Sequence, residues 1–230
     1  MPAARPALTA QRESLVTFGR RLGRDDLAEG TSGNLSVRAG DLIAITPSGV
    51  PYDDITPDDI CLVRVADGTR AAGPQAAAGR RPSTETPMHL AVYRATDAGA
   101  VVHTHSPYVV ALSTVLDELP AVHYAMADLG GLVRVAAYAR FGTQQLADNA
   151  ITALAGRTAV ILRNHGALTC GPTLARAYGR AQVLEWLARV YWYARLAGTP
   201  RTLDAGALDE VAEAAKAMRY GEIDHDMDAP

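Results

Sequence analysis

Apolar positions along this chain change period several times, and each change marks an element. Leu15, Phe18, Gly19 and Leu22 recur every three or four positions, which predicts an amphipathic helix over about residues 10–23. The period then drops to two. "NLSVR" and "DLIAIT" alternate around "AGD" and read as a hairpin, and "ICLVRV" is a further strand ending in the turn signal "DG". Residues 66–82 are small and flexible, a surface loop. Helical spacing returns in "STETPMHLAVYRAT", which opens with capping residues and a proline in its first turn. The strand "AVVHTH", a helix over 107–116, and the strands "AVHYAM" and "LVRVAAY" follow. A helix over 143–154 leads to the strand "TAVILR", and "NHGALTCG" turns into another strand. A long helix spans 173–198, a shorter one covers 206–219, and a flexible polar tail starts near 221.

The helices interrupt the strands without regular βαβ alternation. The expected fold is therefore α/β: one domain over 1–230 with a central, mostly antiparallel sheet flanked by helices. At 48% apolar residues the chain can build a substantial core. A net charge of −3 without blocks of like charge argues against a nucleic-acid footprint or a polybasic membrane patch. No apolar run suits a signal peptide or a membrane span, and Cys61 and Cys170 are too few for a disulfide framework. The expectation is a cytoplasmic protein.

Candidate chemistry starts at "VVHTHSP". His103 and His105 stand two apart on a strand, so both rings project from one face. They form either one side of a metal site or two polar residues on a wet sheet face. His165, in "NHG" after an apolar strand, is a turn histidine or a third ligand, the number a catalytic zinc commonly takes. Glu85 adds an oxygen ligand, serves as a base, or simply complements a helix N-terminus. His89, one turn on, reads as a packing or supporting residue, His123 is ambiguous and His225 lies in the tail. Three short stretches have the glycines and hydroxyls of anion cradles: "EGTSGN", "TPSG" and "PSTE". Lys216 is the single lysine, which weighs against Schiff-base chemistry.

"GTSGNLSVR", "ITPSGVPYDDI", "PSTETPMHLAVYRA", "AVVHTHSP" and "NHGALTCG" together resemble the class II aldolase/adducin family in order and spacing, over roughly residues 10–200. The resemblance implies one zinc ion per subunit, held by His103, His105, His165 and Glu85, with Glu85 also acting as acid/base. It implies a phosphate cradle of Gly33, Asn34, Ser48, Gly49, Ser83 and Thr84. Tyr124 would handle the aldehyde oxygen's proton from a neighbouring subunit, Phe141 would flank the aldehyde, and Tyr220 matches a functional tyrosine near the C-terminus. The partners implied are a small sugar phosphate and three further copies, in a homotetramer with active sites at subunit interfaces.

The implied reaction is reversible cleavage of a ketose 1-phosphate to dihydroxyacetone phosphate and an aldehyde. The substrate would be L-fuculose 1-phosphate or a related deoxyketose 1-phosphate. Thr84 stands where a second serine is usual, and the loop at 66–82 is longer than usual, so the preferred ketose stays open. Rivals within the family are a ribulose-phosphate 4-epimerase, a methylthioribulose-1-phosphate dehydratase and a sugar-acid phosphate decarboxylase. Family epimerases carry Asp where this chain has Glu85. A non-catalytic adducin-like module would lack the histidines, and all three are present.

Overall fold

The computed structural model describes residues 8–72 and 79–218. The tail from 221, Tyr220 and His225 lie outside the described residues. Helix α1 (Thr9–Arg24) is followed by strands β1 (Asn34–Ala39), β2 (Leu42–Ile45) and β3 (Cys61–Arg64). Helix α2 (Thr86–Ala95), strand β4 (Ala100–Thr104) and helix α3 (Pro107–Ser113) come next. Then follow β5 (Glu118–Leu119), β6 (Val133–Ala136), α4 (Gln144–Leu154), β7 (Ala159–Leu162) and β8 (Gly166–Gly171). The chain closes on the long α5 (Leu174–Ala197) and on α6 (Ala205–Ala217).

The strands form one sheet in the order β3-β2-β1-β4-β8-β7-β6-β5. Every pair is antiparallel except β6–β7, whose crossover is α4. The mostly antiparallel expectation holds. Strand β4 sits mid-sheet and is buried along its whole length. On one face Val101 and Leu168 join Met88, Val92 and Tyr93 of α2 and Leu146 and Ala150 of α4. On the other, Leu35 and Val102 meet Leu15 and Leu22 of α1 and Tyr178 and Ala181 of α5. Alternation along each strand thus feeds two cores, one per face.

Two expectations need correction. "AVHYAM" is not a strand: Tyr124–Leu129 form a 3₁₀ helix, with His123 Nδ1 accepting from the Ala125 N–H (3.1 Å) and Gly130 left-handed at its end. Met126 and Leu129 are both buried, and their spacing of three fits three residues per turn rather than a strand's two. The helix from Pro107 ends at Ser113 rather than Leu116, because the chain turns toward β5.

Candidate metal centre and active site

Three parts of the fold deliver the four central side chains. His103 is the penultimate residue of β4, and His105, just past its end, is tied by its N–H to the Leu27 carbonyl (2.9 Å). The register sets His103 opposite Asn34 of β1 and Leu168 of β8. His165 occupies the tight β7–β8 connection, where Asn164 takes a positive φ of 53° and donates its N–H to Ser113 Oγ (3.0 Å). Glu85 sits at the capping position of α2 but makes no cap hydrogen bond. Its carboxylate turns instead toward the histidines, with Oε2 2.9 Å from His103 Nε2 and Oε1 3.2 Å from His165 Nε2. One ligand atom from each of the four residues lies within 4.8 Å of the others.

The donor set has the chemistry a cation needs. His103 Nδ1 donates to the Ala167 carbonyl (2.8 Å), so neutral His103 carries its lone pair on Nε2. That lone pair faces His105 Nε2 at 2.9 Å and the Glu85 carboxylate. The three imidazoles stand edge to face with centroids 4.8–4.9 Å apart. Glu85 Oε1 is buried without an aligned hydrogen bond. Converging lone pairs repel unless positive charge sits among them. The same need appears as a proton on His103: burial pushes its pKa down, but the Glu85 carboxylate more than offsets this and holds it above the ordinary value. Burial alone would raise Glu85, yet His103, His165 and Asn34 hold it well below the usual carboxylate range. His105 is pushed down to about 3, by burial first and then by the neighbouring imidazoles. Glu85, His103, His105 and His165 are thus positioned for a metal.

Beside them opens a cavity of about 390 Å³, the size of a small-molecule site. Gly33, Asn34, Ser48, Gly49, Ser83 and Thr84 line it together with Glu85, His105 and His165. Main-chain bonds explain why stretches distant in sequence meet. Ser48 N–H donates to the Arg81 carbonyl (2.9 Å), and Ser83 N–H donates to the Thr46 carbonyl (3.1 Å). Tyr52 Oη donates to the Gly33 carbonyl (2.9 Å). Gly33 has φ +73°, and a Cβ there would stand 2.9 Å from the His103 carbonyl oxygen, so only glycine fits.

Tyr138, Ala139 and Phe141 form a further wall. Tyr138 and Asn164 are lining residues that sequence reading missed; "NHG" was the available signal for the second. Tyr124 does not line its own chain's cavity; it is 58% exposed and stacks on His123 (4.3 Å). His89 is fully buried, and its ring touches Asn34 rather than the ligand side chains.

Gly166 gives a local test. A Cβ there would fall 2.1 Å from the Thr104 carbonyl oxygen and 3.1 Å from the His105 ring. Gly166→Ala is expected to lower stability by about 1–3 kcal/mol, the range for overpacking a tight core. It should also weaken metal binding by displacing His105. Thermal unfolding and metal titration check both effects, and an unchanged metal affinity would contradict the second.

The comparisons with known proteins agree with this geometry. Residues 13–192 match the model of the "Class II Aldolase and Adducin N-terminal domain". A 5-deoxy-D-ribulose 1-phosphate aldolase of Bacillus thuringiensis is 37% identical over 94% of this chain and 99% of its own. A 5-methylthioribulose-1-phosphate/5-deoxyribulose-1-phosphate aldolase of Rhodospirillum rubrum is 39% identical over 96% of both chains. A solved L-fuculose 1-phosphate aldolase superposes with TM-score 0.86 at 38% identity, covering 91% of this chain and 98% of that one. With four residues positioned for a metal and near-complete coverage by aldolases, the chain belongs to the class II aldolase and adducin family, as one of its carbon–carbon lyases.

Proposed function

We propose that the protein cleaves a 5-deoxypentulose 1-phosphate reversibly to dihydroxyacetone phosphate and acetaldehyde, with zinc as its metal. The observation that carries this reading is the shared cavity: the Glu85–histidine cluster and three glycine- and hydroxyl-rich turns line one space. Two relatives that cover nearly the whole chain carry 5-deoxyribulose 1-phosphate in their names, one of them beside 5-methylthioribulose 1-phosphate. Ala139 and Phe141, beside Tyr138, give the cavity wall an apolar part that suits an aldehyde ending in a methyl group.

Held by the three histidines, zinc would act as a Lewis acid on the ketone and its neighbouring hydroxyl. The backbone N–H groups and hydroxyls around Gly33, Ser48, Gly49, Ser83 and Thr84 bind the phosphate, and Asn34 shares that wall. Anchoring the phosphate fixes the ketose so that its C3 faces Glu85. As the C3–C4 bond breaks, Glu85 delivers a proton to C3; in synthesis it removes one. Burial of Glu85 excludes competing water from this exchange. In synthesis the Tyr124 O–H protonates the aldehyde oxygen as the Glu85 carboxylate takes the C3 proton, and cleavage runs both transfers backwards; Tyr124 acts in a neighbouring copy's cavity. Its exposure and its absence from its own chain's cavity support that placement, and on the family resemblance we read the assembly as a homotetramer. Tyr220 lies outside the described residues, and the family resemblance alone assigns it a catalytic role. Cys61 and Cys170 are buried and unbridged, which suits a reducing compartment, and we place the reaction in the cytoplasm. Among the described residues no helix is long and apolar enough to cross a membrane.

The test is synthesis from dihydroxyacetone phosphate with acetaldehyde, lactaldehyde and glycolaldehyde in turn. Acetaldehyde should give the highest kcat/KM; a clear preference for lactaldehyde would move the assignment to L-fuculose 1-phosphate. Ser48→Ala should raise KM for the phosphorylated ketose, and the unphosphorylated ketose should react poorly with the parent protein. Equal kcat/KM for a ketose and its 1-phosphate would remove the cradle.

A further inference from the structure

Behind Glu85 runs a line of buried hydrogen bonds that leaves the cavity altogether. Asn34 Nδ2 lies 3.0 Å from Glu85 Oε2. Asn34 Oδ1 lies 2.6 Å from His89 Nε2. His89 Nδ1 lies 2.7 Å from Ser36 Oγ, which lies 2.8 Å from Tyr93 Oη. Asn34, Ser36, His89 and Tyr93 are all buried, His89 completely.

Chemistry fixes the direction of every link. A carboxylate only accepts, so the Asn34 nitrogen must face Glu85 and its oxygen must face His89. That oxygen needs a donor, so His89 carries its proton on Nε2. His89 Nδ1 is then an acceptor, and Ser36 O–H donates to it. Ser36 Oγ in turn accepts from Tyr93 O–H. The donors all point one way, from Tyr93 to Glu85, and such a chain polarises each member in the same sense. Burial holds His89 neutral, with its pKa pushed down to about 3, so the imidazole does not break the pattern by taking a second proton.

We propose that His89 is a positioning residue for Glu85: through its Nε2–H it locks the Asn34 amide, so that Asn34 always presents N–H to Glu85 Oε2. Oε2 is thereby kept as an acceptor, and the proton that Glu85 exchanges is carried on Oε1. Without the His89 donor the Asn34 amide is free to turn its oxygen toward the carboxylate. That oxygen would repel the carboxylate oxygen it faces and withdraw the N–H that orients it. The proposal assigns the Asn34 side chain to Glu85 rather than to the phosphate. It rests on the reading of Glu85 as the acid/base.

Two measurements test it. The first needs no variant and no turnover. Long-range ¹H–¹⁵N spectra of the full chain with ¹⁵N-labelled histidine, with and without zinc, should show one neutral Nε2–H imidazole assigned by through-space contact to Ser36. It should persist unchanged from pH 6 to 8. A neutral Nδ1–H form or an imidazolium at His89 overturns the proposal. The second measurement is kinetic. His89→Leu should lower kcat about 10–100-fold, the usual cost of losing a ligand's supporting partner, with KM for the ketose phosphate and zinc content nearly unchanged. His89→Gln, which restores an N–H donor, should recover most of the rate. A loss expressed in KM, or no loss, overturns the proposal. If the parent protein turns over no ketose 1-phosphate, the functional reading fails instead, and the imidazole spectrum still decides the role of His89.

Discussion

His103→Ala is expected to remove the bound cation and the activity together. His103 is the hub of the centre: its Nε2 lies 2.9 Å from both Glu85 Oε2 and His105 Nε2, and its ring is completely buried. Its Nδ1 bond to the Ala167 carbonyl fixes which nitrogen faces the cluster, so no other rotamer or residue can supply that lone pair. Losing a supporting partner of a ligand costs about 10–100-fold in affinity or activity, and losing the ligand itself should cost more. His105→Ala and His165→Ala should follow the same course. Metal content after dialysis, read beside turnover, is the measurement. The parent protein should also lose activity to a chelator and regain it on adding zinc. A variant that kept full metal and full rate would exclude that histidine from the ligand set.

Glu85→Gln should leave the histidine ligands in place and still disable the reaction. Glutamine keeps the size of the side chain and can accept the Asn34 N–H, but it does not exchange a proton as a carboxylate does. A positioned acid/base contributes about 10²–10⁴-fold, and a loss of that order in cleavage is expected. Proton exchange isolates the step. The parent protein should exchange one hydrogen of dihydroxyacetone phosphate with D₂O when no aldehyde is present, and Glu85→Gln should barely do so. A protein that shows no exchange and releases no aldehyde, yet inverts C4 of a pentulose 5-phosphate, is an epimerase.

The candidate ligands were legible because each carries a local signature. His-x-His on a strand, a histidine in a glycine turn and Ser-Thr-Glu before a helix are visible without knowing what packs where. Most helices and the antiparallel strands were legible for the same reason, since their periods are short-range. What was not legible depends on long-range register. Asn34 meets His103 because β1 pairs with β4 across 69 positions, and nothing near residue 34 announces that partner or the link to His89. Tyr138 reached the cavity through the path of the chain after β6, not through any motif. "AVHYAM" misled because its apolar residues fit either of two short periods, and a histidine cap at His123 decided for the tighter one.

The wide sequence separation of the ligands has a thermodynamic consequence. Glu85, His103, His105 and His165 come from α2, from β4 and its end, and from the β7–β8 turn, elements that approach only when the central sheet is paired. A cation held by all four therefore has no comparable partner in the unfolded chain, and its binding free energy adds to that of folding. At a free concentration a hundred times its dissociation constant, the contribution is about 2.7 kcal/mol, a sizeable share of the 5–15 kcal/mol typical of a folded domain. The metal centre is thus a cross-link of the core as well as a place for chemistry.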